Sequence, residues 1–166
     1  MKSKKNRFIV EAGVIAALYT ALTYVSSAFG VSYLGVQFRV SEALTVLPAL
    51  TPAAIPGLVI GCILGNIGSP FAAADIVFGS LATLLSSIIA YRLRKITLKG
   101  FPVLSFVQAV LFNAVVVGAE IAFFASSGFS VELFLLSALQ VAAGETAVIA
   151  ILGVPLYRVM KKLYRQ

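Results

Sequence analysis

The chain has 166 residues, of which 60% are apolar and 11% charged, with a formal charge of +7 and a mean hydropathy of +1.03. A soluble domain carries about a quarter charged residues, so this composition describes a chain whose apolar side chains face lipid as well as one another. With no His and one Cys, a zinc site of the usual ligands, a Cys/His nucleophile pair and an internal disulfide are excluded, and the absence of Gly-x4-Gly-Lys-Ser/Thr excludes ATP hydrolysis by a phosphate loop.

The chain opens on a basic block, Lys2, Lys4, Lys5 and Arg7, followed by an apolar run over residues 8–29. Ser26-Ser27-Ala28 loosely fits a signal-peptide cleavage site, but the run is too long and four further apolar stretches follow, so it reads as a first membrane helix. Glu11 lies one turn from Arg7, where a local ion pair serves both. Gly13, Ala17 and Ala21 form one small-residue ladder, and Ala12 with Ala16 forms a second beside it. Membrane helices associate through such close-packing surfaces, and two adjacent ladders offer more than one internal neighbour needs, so a partner protein is expected to dock there.

Tyr33, Gln37, Phe38 and Arg39 crowd the following loop and lead directly into Glu42. Two readings stand: an Arg39 to Glu42 ion pair at a rim, or a lid whose aromatic face stacks on a flat heterocycle while its polar groups orient it. The next apolar stretch, residues 42–67, carries Pro48, Pro52 and Pro56 at four-residue intervals, and an internal proline removes a helical hydrogen bond. It is therefore read as two short helices, 42–50 and 54–67, beside a loop, a setting in which substrate sites form between interrupted membrane helices. Gly57, Gly61 and Gly65 make a smooth groove for internal helix packing along the second of these, with Cys62 as a small packing residue. Helices are further predicted over 72–91, 101–126 and 131–157.

The formal charge is a topological signal. Twelve of thirteen basic residues lie in three blocks bordering apolar stretches: the amino-terminal one, then Arg92, Arg94, Lys95 and Lys99, then Arg158, Lys161, Lys162 and Arg165. Cytoplasmic loops of membrane proteins carry such blocks. Counting residues 42–67 as one span would put the first two blocks on opposite sides; counting them as two short helices puts all three in the cytoplasm. The expected fold is thus an all-α integral membrane domain over 1–166 with six transmembrane helices and both termini cytoplasmic. A re-entrant hairpin satisfies the same parity. The placement of the charges also argues against a nucleic-acid partner.

An ionisable side chain within a span costs about 2.5 to 3.5 kcal/mol on insertion scales and is a functional candidate. Glu120 and Glu145 lie within the fifth and sixth predicted helices, Asp75 and Glu42 near helix ends, with no Lys or Arg inside the membrane to neutralise Glu120 or Glu145. Asn113, seven residues from Glu120, and Asn66 and Gln140 can supply amides. Either the glutamates are protonated and bonded to neighbouring helices, or they line a pocket open to the outside whose ligand brings the donors or the positive charge.

Three runs carry a family resemblance: Val36-Gln37-Phe38-Arg39-Val40-Ser41-Glu42-Ala43-Leu44; Gly61-Cys62-Ile63-Leu64-Gly65-Asn66; and Asp75-Ile76-Val77-Phe78-Gly79-Ser80-Leu81-Ala82-Thr83-Leu84. Together they resemble the queuosine-precursor transporters of the QueT type, substrate-binding S components of energy-coupling factor (ECF) transporters. The resemblance implies binding of a deazaguanine such as prequeuosine base or queuine, with no cofactor, and docking through the Ala-x3-Ala ladder of the first helix onto a transmembrane coupling subunit carrying two ATPases in the cell membrane. Ala12 with Ala16 matches that ladder literally, Gly13 with Ala17 more loosely. On this reading Glu120 or Glu145 accepts the guanine edge, and another carboxylate, such as Asp75, meets the amine. The rival readings are a stand-alone proton-coupled carrier and a membrane scaffold; an intramembrane enzyme lacks a nucleophile with its base.

Overall fold

The computed structural model describes residues 2–29, 38–69, 72–124 and 129–164; Tyr33 and Gln37 lie outside them. The first basic block is itself helical, since α1 runs Lys2–Ala28, longer at its start than the apolar run. A 3-10 helix, Val40–Ala49, leads to α2, Ala54–Gly65, which ends in a 3-10 turn, Asn66–Gly68. A short α3, Ala72–Ala74, passes through a π-helical segment, Asp75–Gly79, into α4, Ser80–Leu93. Then come α5, Val103–Phe124, and α6, Val131–Val148, which continues through a second π segment, Ile149–Gly153, into α7, Val154–Tyr164.

Among the described residues four helices are long and apolar enough to cross a membrane: Ser3–Ala28, Asp75–Leu93, Val103–Phe124 and Val131–Tyr164. The two short helices are each about 20 Å long, less than a hydrocarbon core of about 30 Å. The short helix expected over 42–50 has 3-10 winding and runs Val40–Ala49, with Pro48 inside it. The tighter winding lengthens the segment at about 2.0 Å per residue.

This 3-10 helix is the centre of the bundle. Its residues Ser41 to Ala49 are all buried, and it meets α1, α2, α4, α5, α6, α7 and the second π segment. Two bonds fix its start to α1: the Val40 N–H donates to Ser26 Oγ at 3.0 Å and Thr23 Oγ1 donates to Ser41 Oγ at 2.8 Å. Its far side rests where the second π segment has Gly153, since a Cβ there would lie 2.9 Å from Val46 Cγ1. Pro155 explains that π segment, because its ring excludes an ordinary turn before it.

The glycine stripe of α2 packs on α1, as the sequence indicates. A Cβ on Gly57 would meet the Ala12 carbonyl at 2.8 Å, one on Gly61 would meet Tyr19 Cβ at 2.7 Å, and one on Gly65 would meet Thr23 Cβ at 3.1 Å. Thr20 Oγ1 and the Tyr24 hydroxyl bond across the contact to the Gly61 and Leu64 carbonyls. Lipid supplies no hydrophobic drive between helices, so close backbone approach and such bonds are what hold them. Elsewhere α5 packs on α6 at Gly118, where a Cβ would sit 2.9 Å from the Ala138 backbone. Gly118→Ala is expected to destabilise the fold by about 1 to 3 kcal/mol through overpacking, read as an earlier thermal transition in detergent.

Candidate functional site

The interrupted helices bring polar residues from six elements to one cavity beside the 3-10 helix. It is lined by Tyr19 of α1, Arg39 and Glu42 around the start of the 3-10 helix, Cys62 and Asn66 of α2 and its terminal turn, Asp75, Gly79 and Thr83 along the helix through α4, Asn113 and Val117 of α5, and Val141 and Glu145 of α6. Periodicity accounts for the sets: 62 and 66, 75, 79 and 83, 113 and 117, and 141 and 145 are each one turn apart on a single helix face. The enclosed volume is about 20 Å³, room for about one water.

Two carboxylates meet across Asn113. Its Nδ2 donates to Glu145 Oε1 at 2.8 Å and more weakly to Glu42 Oε2 at 3.5 Å. The other oxygen of Glu42 accepts from the Tyr19 hydroxyl. On the facing side Asp75 accepts from the Ser69 hydroxyl. Asn66 donates through Nδ2 to the Asp75 carbonyl at 3.2 Å and to Cys62 Sγ at 3.3 Å. Its Oδ1, buried, has no hydrogen-bond partner among the described residues. The Asn66 bond falls at the first residue of the π segment, the kind of insertion by a side chain that widens a helix at functional sites.

The wall therefore carries three acids and one base, Arg39, and is rich in acceptors. Arg39 is 9% exposed and exerts its field on Tyr19, Glu42, Cys62 and Asp75. This corrects the sequence-level expectation that no base lies near the buried acids. The reason is positional: Arg39 sits outside the apolar runs, but the buried 3-10 helix that follows draws it inward.

Of the residues singled out from sequence, the structure brings Arg39, Glu42, Asn66, Asp75, Asn113 and Glu145 together. Glu120 is not in the wall. It shares a helix face with Asn113 and Val117 but lies one turn farther on, where it acts on Asp75. Among the described residues neither of its buried carboxyl oxygens has a hydrogen-bond partner, and it borders an apolar groove of about 460 Å³ with Phe78, Phe123 and Phe129 among its neighbours. The carboxylate that shares Asn113 with Glu145 is that of Glu42. Gln140 is half-buried and outside the wall, since it precedes Val141 by one residue and so points about 100° away from the 141 and 145 face. Phe38 is exposed and also outside it.

Sequence reasoning did not place Tyr19, Gly79, Thr83, Val117 or Val141 here, and it took Cys62 for packing. The signal for Gly79 and Thr83 was their spacing from Asp75. For Tyr19 it was a polar line, Tyr19, Thr23 and Ser26, along one face of α1.

The two ladders of α1 separate. Ala12 and Ala16 are buried in the contact with α2, whereas Gly13, Ala17 and Ala21 are exposed, and a Cβ on Gly13 would meet nothing within 4 Å.

Residues 9–162 match the family described as QueT transporter. The chain is also 38% identical over 85 residues to the "Queuosine precursor transporter QueT" of Lactococcus lactis subsp. cremoris (strain MG1363), a match covering 51% of this chain and 50% of the relative. The chain thus spans about half the length of the curated relative it matches. No solved structure matches it.

Proposed function

The chain belongs to the QueT transporter family, and on that premise we propose that it captures a queuosine precursor of the deazaguanine class from outside the cell for uptake. The observation that supports this most is the imbalance in the cavity wall. Glu42, Asp75, Glu145 and the unpaired Asn66 Oδ1 all accept, while Asn113 and Tyr19 already give their donors to the glutamates. A guanine-like edge offers neighbouring N–H donors that a carboxylate takes as a pair, and an aminomethyl group adds a cation. Both fit a wall with more acid than base. Glu145 is assigned to the guanine edge and Asp75 to the amine. A bicyclic ligand needs far more than 20 Å³, so capture requires the walls to part, and the segment before Arg39, including Tyr33 and Phe38, is assigned as the lid.

In this reading the protein is the S component of an ECF transporter, not an enzyme. It has six crossings counting the two short helices, both termini are cytoplasmic, and ATP is hydrolysed by partner subunits. Docking on the coupling subunit uses Gly13, Ala17 and Ala21, because Ala12 and Ala16 are occupied by α2. Ala17→Trp is expected to abolish co-purification of the ATPases while leaving ligand affinity within about twofold, since its side chain faces away from the cavity; loss of both together would overturn the assignment.

Calorimetry of the purified chain with prequeuosine base, queuine, guanine and biotin tests the ligand class. Binding of either deazaguanine with biotin silent is expected; biotin binding as tightly, or neither deazaguanine binding, overturns it. A second reading, a stand-alone proton-coupled carrier, is favoured by Glu120 and Asp75 acting on each other beside the groove. Uptake by the chain alone, driven by a pH gradient in vesicles, would select it.

A further inference from the structure

Another pocket lies between the turn that joins α4 to α5 and the last turns of α7. It encloses about 340 Å³ and is lined by Gly100, Phe101, Tyr157, Arg158, Lys161 and Lys162. Among the described residues three cations line it and no acid does. Glu11 of α1 is engaged by the Tyr164 hydroxyl.

The pocket is built rather than a loose patch of basic side chains. Leu98 and Phe101 exchange backbone bonds at 2.8 and 3.0 Å, and Lys99 and Gly100 between them have φ of 50° and 81°, the left-handed pair that closes a tight turn. That turn presents the Gly100 carbonyl to Lys161 Nζ at 3.2 Å. Arg158 sits over the Phe101 ring at 4.9 Å and Lys161 over the Tyr157 ring at 5.4 Å. Tyr157 is buried as the floor, with Phe106 edge-on to it at 5.2 Å. Stacking on rings holds the cationic groups in place without neutralising them.

The surroundings say where this pocket stands. Ile96, Leu98 and Leu163 are apolar and more than half exposed. The rod Val131–Tyr164 has 34 residues, about 50 Å, so one end must emerge from a hydrocarbon core of about 30 Å. Apolar side chains beside a ring-backed cluster of cations match the headgroup level of a bilayer, and basic pockets between membrane helices take anionic headgroups there.

We propose that this pocket binds the phosphate of an anionic glycerophospholipid, with Arg158 and Lys161 on the phosphate oxygens and the exposed Ile96 and Leu98 among its acyl chains. A free phosphate would satisfy the cations but would have no use for the apolar rim, which favours the lipid as the source.

Native mass spectrometry of the full chain, titrated with phosphatidylglycerol or phosphatidylcholine, tests this. Phosphatidylglycerol is expected to bind at about tenfold lower concentration. The triple variant Arg158→Gln, Lys161→Gln, Lys162→Gln should lose that preference, whereas Lys4→Gln, Lys5→Gln, Arg7→Gln, with the same change in charge, should keep it. Equal loss in both variants, retention in the first, or displacement of the lipid by millimolar inorganic phosphate would overturn the proposal. Photo-crosslinking of the parent chain with a photoactivatable phosphatidylglycerol gives a reading independent of variant folding: adducts are expected in residues 98–101 or 157–162, and adducts only elsewhere refute it.

Discussion

Glu145→Gln is expected to weaken deazaguanine binding by about 10- to 100-fold, the effect of removing one charge-assisted pair from a buried site. Glutamine keeps the shape and an oxygen for Asn113 Nδ2, which now donates to Glu145 at 2.8 Å, so the fold should persist while the ligand loses a doubly accepting partner. Glu42→Gln should act in the same direction, because the two carboxylates share Asn113. Glu120→Gln should change affinity by less than about threefold, since its carboxyl lies beyond the wall. Calorimetry on the three variants separates the assignments. An unchanged affinity in Glu145→Gln and Glu42→Gln would remove the cavity from consideration as the ligand site.

Gly61→Leu should have the largest effect on the fold itself. Even the first added carbon would lie 2.7 Å from Tyr19 Cβ and 3.0 Å from the Ala16 carbonyl, so α1 and α2 must separate, at about 1 to 3 kcal/mol or more for overpacking. The cost extends to the site, because Tyr19 is both the clashing residue and the hydroxyl that holds Glu42. A lower thermal transition together with weaker ligand binding is expected. Gly13→Leu should leave both unchanged, since that position opens onto space. If Gly13→Leu proved as destabilising as Gly61→Leu, the packing of α1 on α2 described above would be wrong.

The periodicity of small residues marked these helices as close-packing surfaces, but not which ladder meets which. Ala12 and Ala16 repeat at the same interval as Gly13 and Ala17, one residue out of phase. A rotation of about 100° about the axis of α1 decides which pair is buried, and that rotation is set by where Ile15, Tyr19 and Thr23 meet the glycines of α2. The acids behave the same way. Their rarity in apolar helices flagged all four, yet depth along a helix could not say which of Glu120 and Glu145 reaches the cavity. The actual partner of Glu145 comes from residue 42, more than a hundred positions away in the chain.

Composition and local pattern determined what depends on neighbours in sequence: a membrane environment from the scarcity of charge, the helical rods from apolar length, the break at residues 50–53 from the prolines, and the presence of buried acids that need donors. Tertiary structure alone decided what depends on rotation and depth. It drew Arg39 into the wall behind a buried 3-10 helix, joined Glu42 to Glu145 through Asn113, and left Glu120 one turn beyond. The physical reason is that a single helix presents every face equally to its own sequence, and only packing against the others selects the one that looks inward.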